Sequence, residues 1–168
     1  MTVLSPAVQP TASAPDEEGR DGVGFGRFEG AAGFMLRIAQ QVSMERFYPM
    51  VEGMPATVGE FTILMAIREN PGIRQGALAD VLRIKWPNMT KLIRGLDERG
   101  MLRRLVPPED RRAVALELTS QGERLVAAAH DHVLEADRKS LPMLDDNEYR
   151  QLLHLLRRVA GRGGDMSG

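Results

Sequence analysis

The stretch around Gly100 most constrains the fold, because the spacing of apolar residues changes there from a helical period to a strand period. Residues 87–99 have the helical period. Their apolar stripe consists of Met89, Leu92, Ile93 and Leu96. Residues 101–106 and 114–118 alternate with a period of two and flank a Pro-Pro-Glu-Asp turn, which predicts one two-stranded hairpin. Such a ribbon is not stable alone, so it has to pack against the helices before it.

Five further helices are predicted from the same kind of periodicity. They cover about residues 29–47, 57–68, 75–82, 120–140 and 145–160. Pro49 is predicted to break the first of them. Thr119 and Ser120 both offer N-caps for the fifth, and Glu123 stands where it could complete a capping box with Ser120.

The composition excludes several classes of function. The chain of 168 residues has no cysteine, which excludes disulfides, thiolate metal sites and a thiol nucleophile. We predict no metal and no cofactor. The sequence shows neither a signal peptide nor an apolar run long enough to cross a membrane, so we expect a soluble, cytoplasmic protein without a membrane partner.

The net charge of −1, from 22 basic and 23 acidic residues, hides a local excess of positive charge. Residues 85–112 carry eight positive and four negative side chains, a net charge of +4, which leaves −5 for the rest of the chain. This asymmetry is typical of an electrostatic footprint for nucleic acid on one part of an otherwise acidic protein.

The side of the helix at 87–99 that lies opposite its apolar stripe is polar. It presents Pro87, Lys91, Arg94 and Glu98, with Asn88 and Thr90 on its flanks. Asparagine can bond bidentately to adenine, arginine and lysine can reach guanine edges or phosphates, and threonine can contact a base or a thymine methyl group. A short helix, a tight turn and a second helix of this kind describe a helix-turn-helix, although an ordinary solvated helix face is the alternative.

The tip of the hairpin carries two arginines, Arg111 and Arg112. A pair of arginines on a protruding ribbon can reach the minor groove next to the major groove that a recognition helix reads. Asp110 is predicted to hold one of them in place through a charge-assisted hydrogen bond. A charged turn that only keeps an edge strand soluble remains open for any one of these residues.

The sequence resembles the MarR family of bacterial winged helix-turn-helix regulators. The resemblance is carried by Gln-Gly-Ala-Leu-Ala-Asp-Val-Leu at 75–82, by residues 89–102, by Pro-Glu-Asp-Arg-Arg at 108–112 and by residues 116–122 with their Leu-Thr-x-x-Gly. It covers about residues 30–160. The fold class it implies is mainly α with a small two-stranded β-wing, a winged helix-turn-helix with N- and C-terminal dimerisation helices.

The resemblance also implies a role for each segment of the chain. We expect a disordered tail at 1–26, a dimerisation helix at 27–56, a DNA-binding lobe at 57–119, two dimerisation helices at 120–160 and a flexible tail at 161–168. A homodimer would bind a double-stranded, pseudo-palindromic operator. Excess apolar surface on the first and last helices supports the dimer independently of the resemblance, and an ordinary monomer with a few surface leucines is the alternative.

By position, the resemblance makes Asn88, Thr90, Lys91 and Arg94 the recognition-helix contacts, and makes Arg112 the wing arginine with Asp110 as its support. The chain departs from the family where a Ser or Thr cap often begins the recognition helix, because Lys85 and Trp86 stand there.

A small-molecule effector is predicted between the dimerisation helices and the DNA-binding lobe, where the family keeps its ligand. The candidate residues are Phe34, Arg37, Ile38, Met44, Met65 and Arg68. Methionine is adaptable but more often fills a core than lines a pocket. An arginine could pair with the carboxylate of a small aromatic acid, or with the phosphates of its coenzyme A thioester. The chain would then be a ligand-released repressor.

Two other classes of protein are alternatives. An enzyme needs a catalytic constellation, but His130 and His132 are two residues apart and do not share a helix face, and His154 has no partner at metal-binding spacing. We therefore predict no enzyme activity. A winged-helix module that binds protein rather than DNA would bind with little dependence on salt, whereas DNA binding weakens steeply as salt rises.

Overall fold

The computed structural model describes residues 23–105 and 114–162. The chain divides into two compact units, one that ends at Ile38 and one that begins at Ala39, and each is described by itself. The helices are α1 (Ala32–Met50), α2 (Val58–Glu69), α3 (Gln75–Val81), α4 (Trp86–Glu98), α5 (Ser120–Ser140) and α6 (Asp146–Val159). The strands are β1 (Ile73–Arg74), β2 (Leu102–Leu105) and β3 (Ala115–Leu118).

The first unit contains a short 3₁₀ helix at Gly26–Gly30 and the start of α1. Phe25 and Phe28 pack their rings against Phe34, at centroid distances of 5.0 and 5.2 Å. The helix predicted to start near residue 29 therefore starts at Ala32, because a separate 3₁₀ turn occupies the residues before it.

The core of the second unit lies between α2, α4, the sheet and α5. Ile63, Leu64, Met89, Leu116 and Val126 are almost completely buried in it. On α2 and α4 the buried residues are spaced three and four apart, so burial of one face of each helix explains the packing, and Leu116 adds the inner face of β3.

The sheet is antiparallel and has three strands in the order β1-β3-β2, whereas the sequence predicted two. Leu102 pairs with Leu118, and Leu105 pairs with Ala115, as in the predicted hairpin. The additional strand β1 pairs Ile73 with Leu116. It was not predicted because two residues are too short to show a period, and their partner is more than 40 residues away in the sequence.

Helix ends explain two further differences from prediction. Pro49 lies inside α1, one residue before its end, so the missing N–H affects only the last turn and does not break the helix earlier. Thr119, not Ser120, is the N-cap of α5, and its hydroxyl accepts a hydrogen bond from the Gly122 N–H at 3.2 Å. The predicted capping box of Ser120 with Glu123 is therefore wrong, because Ser120 is already the first residue of the helix.

Two other helices begin with a capping box. Thr57 and Glu60 form one at α2, as do Asp145 and Glu148 at α6. Each pair satisfies backbone N–H groups that the first helical turn leaves without partners. Within residues 23–105 and 114–162, no helix is long and apolar enough to cross a membrane.

Candidate nucleic-acid interface

Helix α4 is sharply two-sided. Met89, Ile93 and Leu96 are buried, and Leu92 is half-buried, which confirms the predicted apolar stripe. All four predicted contacts are exposed: Lys91 and Arg94 lie opposite the stripe, and Asn88 and Thr90 lie on its flanks. The buried side fixes the rotation of the helix, so these four side chains are offered to solvent by a rigid element.

Gln75, at the start of α3, fixes the hydroxyl of Thr90. Its side chain is buried, and its Nε2 donates a hydrogen bond to Thr90 Oγ1 at 3.2 Å. Because Thr90 Oγ1 accepts from Gln75, its own proton is free to be donated to an acceptor on another molecule. Sequence reasoning missed this role, since the two residues are 15 apart and only the packing of α3 on α4 brings them together.

Some of the positive side chains near α4 already form ion pairs with carboxylates, and others do not. Arg99 pairs with Glu60 of α2, and Arg103 pairs with Glu117 of β3. These two arginines connect elements of the fold, so part of the local excess of +4 is neutralised by partners from outside the segment. Lys85, Lys91 and Arg104 have no ion-pair partner among the described residues, and all three are exposed.

Arg94 holds an ion pair with Glu98, with 3.3 Å between Nε and Oε1 and with both side chains mostly exposed. An exposed pair at this spacing is worth only about 0.3–0.5 kcal/mol. A phosphate or a guanine edge can therefore replace Glu98 at small cost. A spacing of four residues brings Arg94 and Glu98 to adjacent turns of one helix face, so this pair can be read from the sequence.

The start of α4 confirms the departure seen in the sequence. Lys85 is the N-cap, and its side chain makes no capping hydrogen bond. The Trp86 ring lies beside α3, with Cζ3 3.6 Å from the position that a Cβ on Gly76 would take, yet 54% of Trp86 is exposed. Pro87 in the first turn has no N–H to satisfy, which partly replaces the missing cap.

The hairpin tip, including the predicted contacts Asp110, Arg111 and Arg112, lies outside the described residues. The strands that lead to it are described, and the pairing of Leu105 with Ala115 holds the two ends of the segment at 106–114 side by side. The roles of the three tip residues stay predictions.

The predicted effector residues fall in both units. Phe34, Arg37 and Ile38 belong to the first, and Met44, Met65 and Arg68 to the second. Arg68 already faces a carboxylate, with 3.6 Å between its Nε and Glu123 Oε2. An acidic ligand at Arg68 would compete with Glu123.

The second unit also contains an open groove of about 570 Å³ between the end of α1 and the start of α2. Glu45, Tyr48 and Glu52 contribute polar groups to its lining, and none of the predicted effector residues does. Met65 lines a different groove, of about 420 Å³, between α2 and α3. Among the described residues, no cluster of His, Asp and Glu could hold a metal ion.

Comparison with known proteins identifies the family. The family model described as MarR family matches residues 56–114, which span α2, α3, α4, β2 and the end of the hairpin segment. The chain is also 31% identical over 137 residues to a protein of Thauera aromatica described as a transcriptional regulatory protein for the hcr operon, covering 80% of this chain and 81% of that one. The chain belongs to the MarR family.

Two further MarR-family comparisons agree with this. The homoprotocatechuate degradative operon repressor of Escherichia coli is 27% identical over 125 residues, with 74% of this chain and 84% of that one covered. The solved structure of the transcriptional repressor CouR bound to a 23-mer DNA duplex superposes with a TM-score of 0.74 at 28% identity, covering 83% of this chain and 99% of that one. The winged helix-turn-helix fold is confirmed, and so is the prediction that this regulator is not an enzyme.

Proposed function

We propose that this MarR-family protein is a cytoplasmic repressor that binds a pseudo-palindromic operator as a homodimer, through α4 and the segment between β2 and β3. The exposed side of α4 carries the proposal, because burial of the other side leaves Lys91 and Arg94 facing solvent with Asn88 and Thr90 on their flanks. These side chains are donors and acceptors for base edges and phosphates. The similarity to a repressor that has been solved on DNA supports the same reading.

The dimer is supported by α6. No residue of this helix is buried, and Leu155 and Val159 are 52% and 73% exposed. A helix with apolar residues on one side and no cover over them is suited to pack against a second copy. Two recognition helices related by a two-fold axis would then contact half-sites about 34 Å apart, one turn of DNA.

We further propose that a small aromatic acid, or its coenzyme A thioester, releases the operator. Homoprotocatechuate, in the name of one relative, is itself an aromatic acid. A ligand that weakens operator binding 100-fold has to favour the non-binding arrangement of the dimer by about 2.7 kcal/mol. Either Arg37, which is exposed, or Arg68 would pair with the acid group.

Footprinting on the DNA upstream of the gene tests the proposal. We expect two protected half-sites about one helical turn apart, and loss of protection when a panel of aromatic acids and their thioesters is added. Protection without a preferred sequence, or none at all, would favour the protein-binding alternative. Specific protection that no compound in the panel alters, together with an unchanged melting temperature, would reject the effector class while leaving the repressor in place.

A further inference from the structure

The backbone of Arg83, in the turn between α3 and α4, adopts a conformation that favours glycine. Its φ is +55°, and within residues 23–105 and 114–162 it is the one non-glycine residue with a positive φ. The other positions of this kind include Gly53, Gly72 and Gly100. A side chain with a Cβ is disfavoured there because the Cβ approaches the following carbonyl oxygen.

The turn itself requires this conformation. The Ile84 N–H donates to the Ala79 carbonyl at 3.0 Å, and the Arg83 N–H donates to the Asp80 carbonyl at 3.3 Å. These two bonds are the pair that closes a helix in a Schellman motif, with the left-handed residue one position after the C-cap. Glycine would satisfy the turn with less strain, so an arginine there calls for a reason outside the turn.

The surroundings of Arg83 indicate that reason. Arg83 is exposed, and its guanidinium has no hydrogen-bond or ion-pair partner among the described residues. Two residues later, Lys85 is also exposed, and it precedes an α4 whose first turn contains no acidic residue and no side-chain cap. Positive charge from two side chains and from the start of α4 therefore collects at this corner between α3 and α4. The nearby Asp80 is exposed as well, but among the described residues its carboxylate forms no ion pair with Arg83 or Lys85.

This corner lies at the end of α4 that points toward DNA in a helix-turn-helix. The first residues of a recognition helix contact base edges, and the helix before it crosses the sugar-phosphate backbone. The turn that joins the two helices is therefore close to phosphates. A guanidinium can bind a phosphate through two parallel N–H···O bonds, which a glycine cannot supply.

We propose that Arg83 binds a phosphate of the operator backbone, and that this contact is why the turn holds an arginine in a glycine conformation. The inference rests on the proposed operator binding by α4 and adds to it a residue that positions the recognition helix without reading sequence. It predicts opposite effects of one substitution on stability and on DNA affinity.

The test compares Arg83→Gly, Arg83→Asn and Arg83→Lys in the full chain. Glycine and asparagine tolerate the left-handed conformation but lack the charge, while lysine keeps the charge and the strain. We expect Arg83→Gly to raise the folding equilibrium constant a few-fold and to weaken operator binding at least about tenfold at 0.1 M salt. Each dimer loses two phosphate contacts, so the slope of log K against log salt should decrease in size by about 1.8.

The variants separate the possible outcomes. Arg83→Asn should bind as weakly as Arg83→Gly, and Arg83→Lys should keep most of the salt slope. If the wild type binds its operator and Arg83→Gly binds equally well with the same slope, this inference is wrong and the proposed function stands. If the wild type shows no specific, salt-sensitive binding, the proposed function is wrong and this inference falls with it.

Discussion

At Gly122 the backbone of α5 passes so close to the wing that no side chain fits. A Cβ built there would lie 2.0 Å from the carbonyl oxygen of Met101, the residue before β2. The neighbouring Thr119 bonds to the same region, donating its hydroxyl to the Gly100 carbonyl at 2.6 Å and its N–H to the Met101 carbonyl at 3.1 Å. This contact explains the Leu-Thr-x-x-Gly run that ends the wing.

Gly122→Ala should therefore destabilise the fold by about 2–3 kcal/mol, since backbone atoms rather than a flexible side chain have to move. Chemical denaturation measures the loss. Gly95→Ala in α4 is the matched control, because nothing lies within 4 Å of its Cβ position. That substitution should stabilise the protein by about 0.5–1 kcal/mol. Equal stability of the two variants would contradict the account of the wing junction.

Gln75 offers a second prediction at the level of single residues. Gln75→Leu keeps the buried volume but removes the bond to Thr90 Oγ1, whose exposed hydroxyl can bond to water instead. We expect folding stability to change by less than about 1 kcal/mol and operator affinity to fall several-fold. In Thr90→Val, Gln75→Leu should cause no additional loss of affinity. An additive loss in the double variant would mean that Gln75 acts elsewhere.

Among the elements, α5 and α6 are joined by a compact polar cluster. Tyr149 Oη donates to Asp137 Oδ2 at 2.6 Å, and the Arg138 guanidinium lies 4.9 Å from the centre of the Tyr149 ring. Arg138 also bonds to Asp146 Oδ1 at 2.9 Å and thereby lowers the pKa of that carboxyl group. The cluster fixes the angle at which α6 leaves α5.

This cluster predicts a loss of stability at high pH. Burial, and then the hydrogen bond to Asp137, raise the pKa of Tyr149 to about 12. The protonated phenol is thus favoured by the fold, so its contribution to the free energy of unfolding is complete below about pH 10 and is lost as the pH rises through about 12. Absorbance near 295 nm follows phenolate formation, and Tyr149→Phe should remove the component that titrates near pH 12. The chain has two tyrosines, Tyr48 and Tyr149, so the difference between wild type and Tyr149→Phe isolates the Tyr149 component. Completion of that component by pH 10.5 would contradict the cluster.

The helices and strands also show which parts of the fold can be predicted from the sequence alone. Helix α4 and strands β2 and β3 were predicted closely, because each carries its own period of apolar residues. Strand β1 was missed because its partner Leu116 is far along the chain. The end of α1 was predicted to within one turn, since the helix extends only one residue beyond Pro49.

Across the whole molecule, one part of the candidate site could be predicted from the sequence and another part could not. The exposed face of α4 was predictable from helical spacing, because burial of one side determines what the other side presents. The pairing of Arg99 with Glu60 was not, since it joins residues 39 apart, and it removes one arginine from the count of charges offered to DNA. Local charge therefore overestimates an interface wherever the fold supplies counter-charges.

The proposed dimer predicts that charged substitutions on α6 separate the two copies. Val159→Glu and Leu155→Glu place a charge on the uncovered apolar side of α6, which should cost little in the monomer but disfavour its burial against a second copy. Sedimentation should show a shift from dimer to monomer at unchanged helix content. Asn147→Glu, at an exposed polar position of the same helix, should leave the dimer intact. A dimer that persists in both apolar variants would place the interface elsewhere.

A salt-dependent titration shows whether α4 and the hairpin tip bind operator DNA. Wild type, Lys91→Ala, Arg112→Ala and Lys139→Ala are compared on the upstream DNA. Lys139 serves as the control because it lies near the end of α5, paired with Glu135 on the surface. We predict that affinity falls steeply with salt, that Lys91→Ala and Arg112→Ala weaken binding and flatten the slope, and that Lys139→Ala does neither. Salt-independent binding, or equal affinity of all four proteins, would contradict the account.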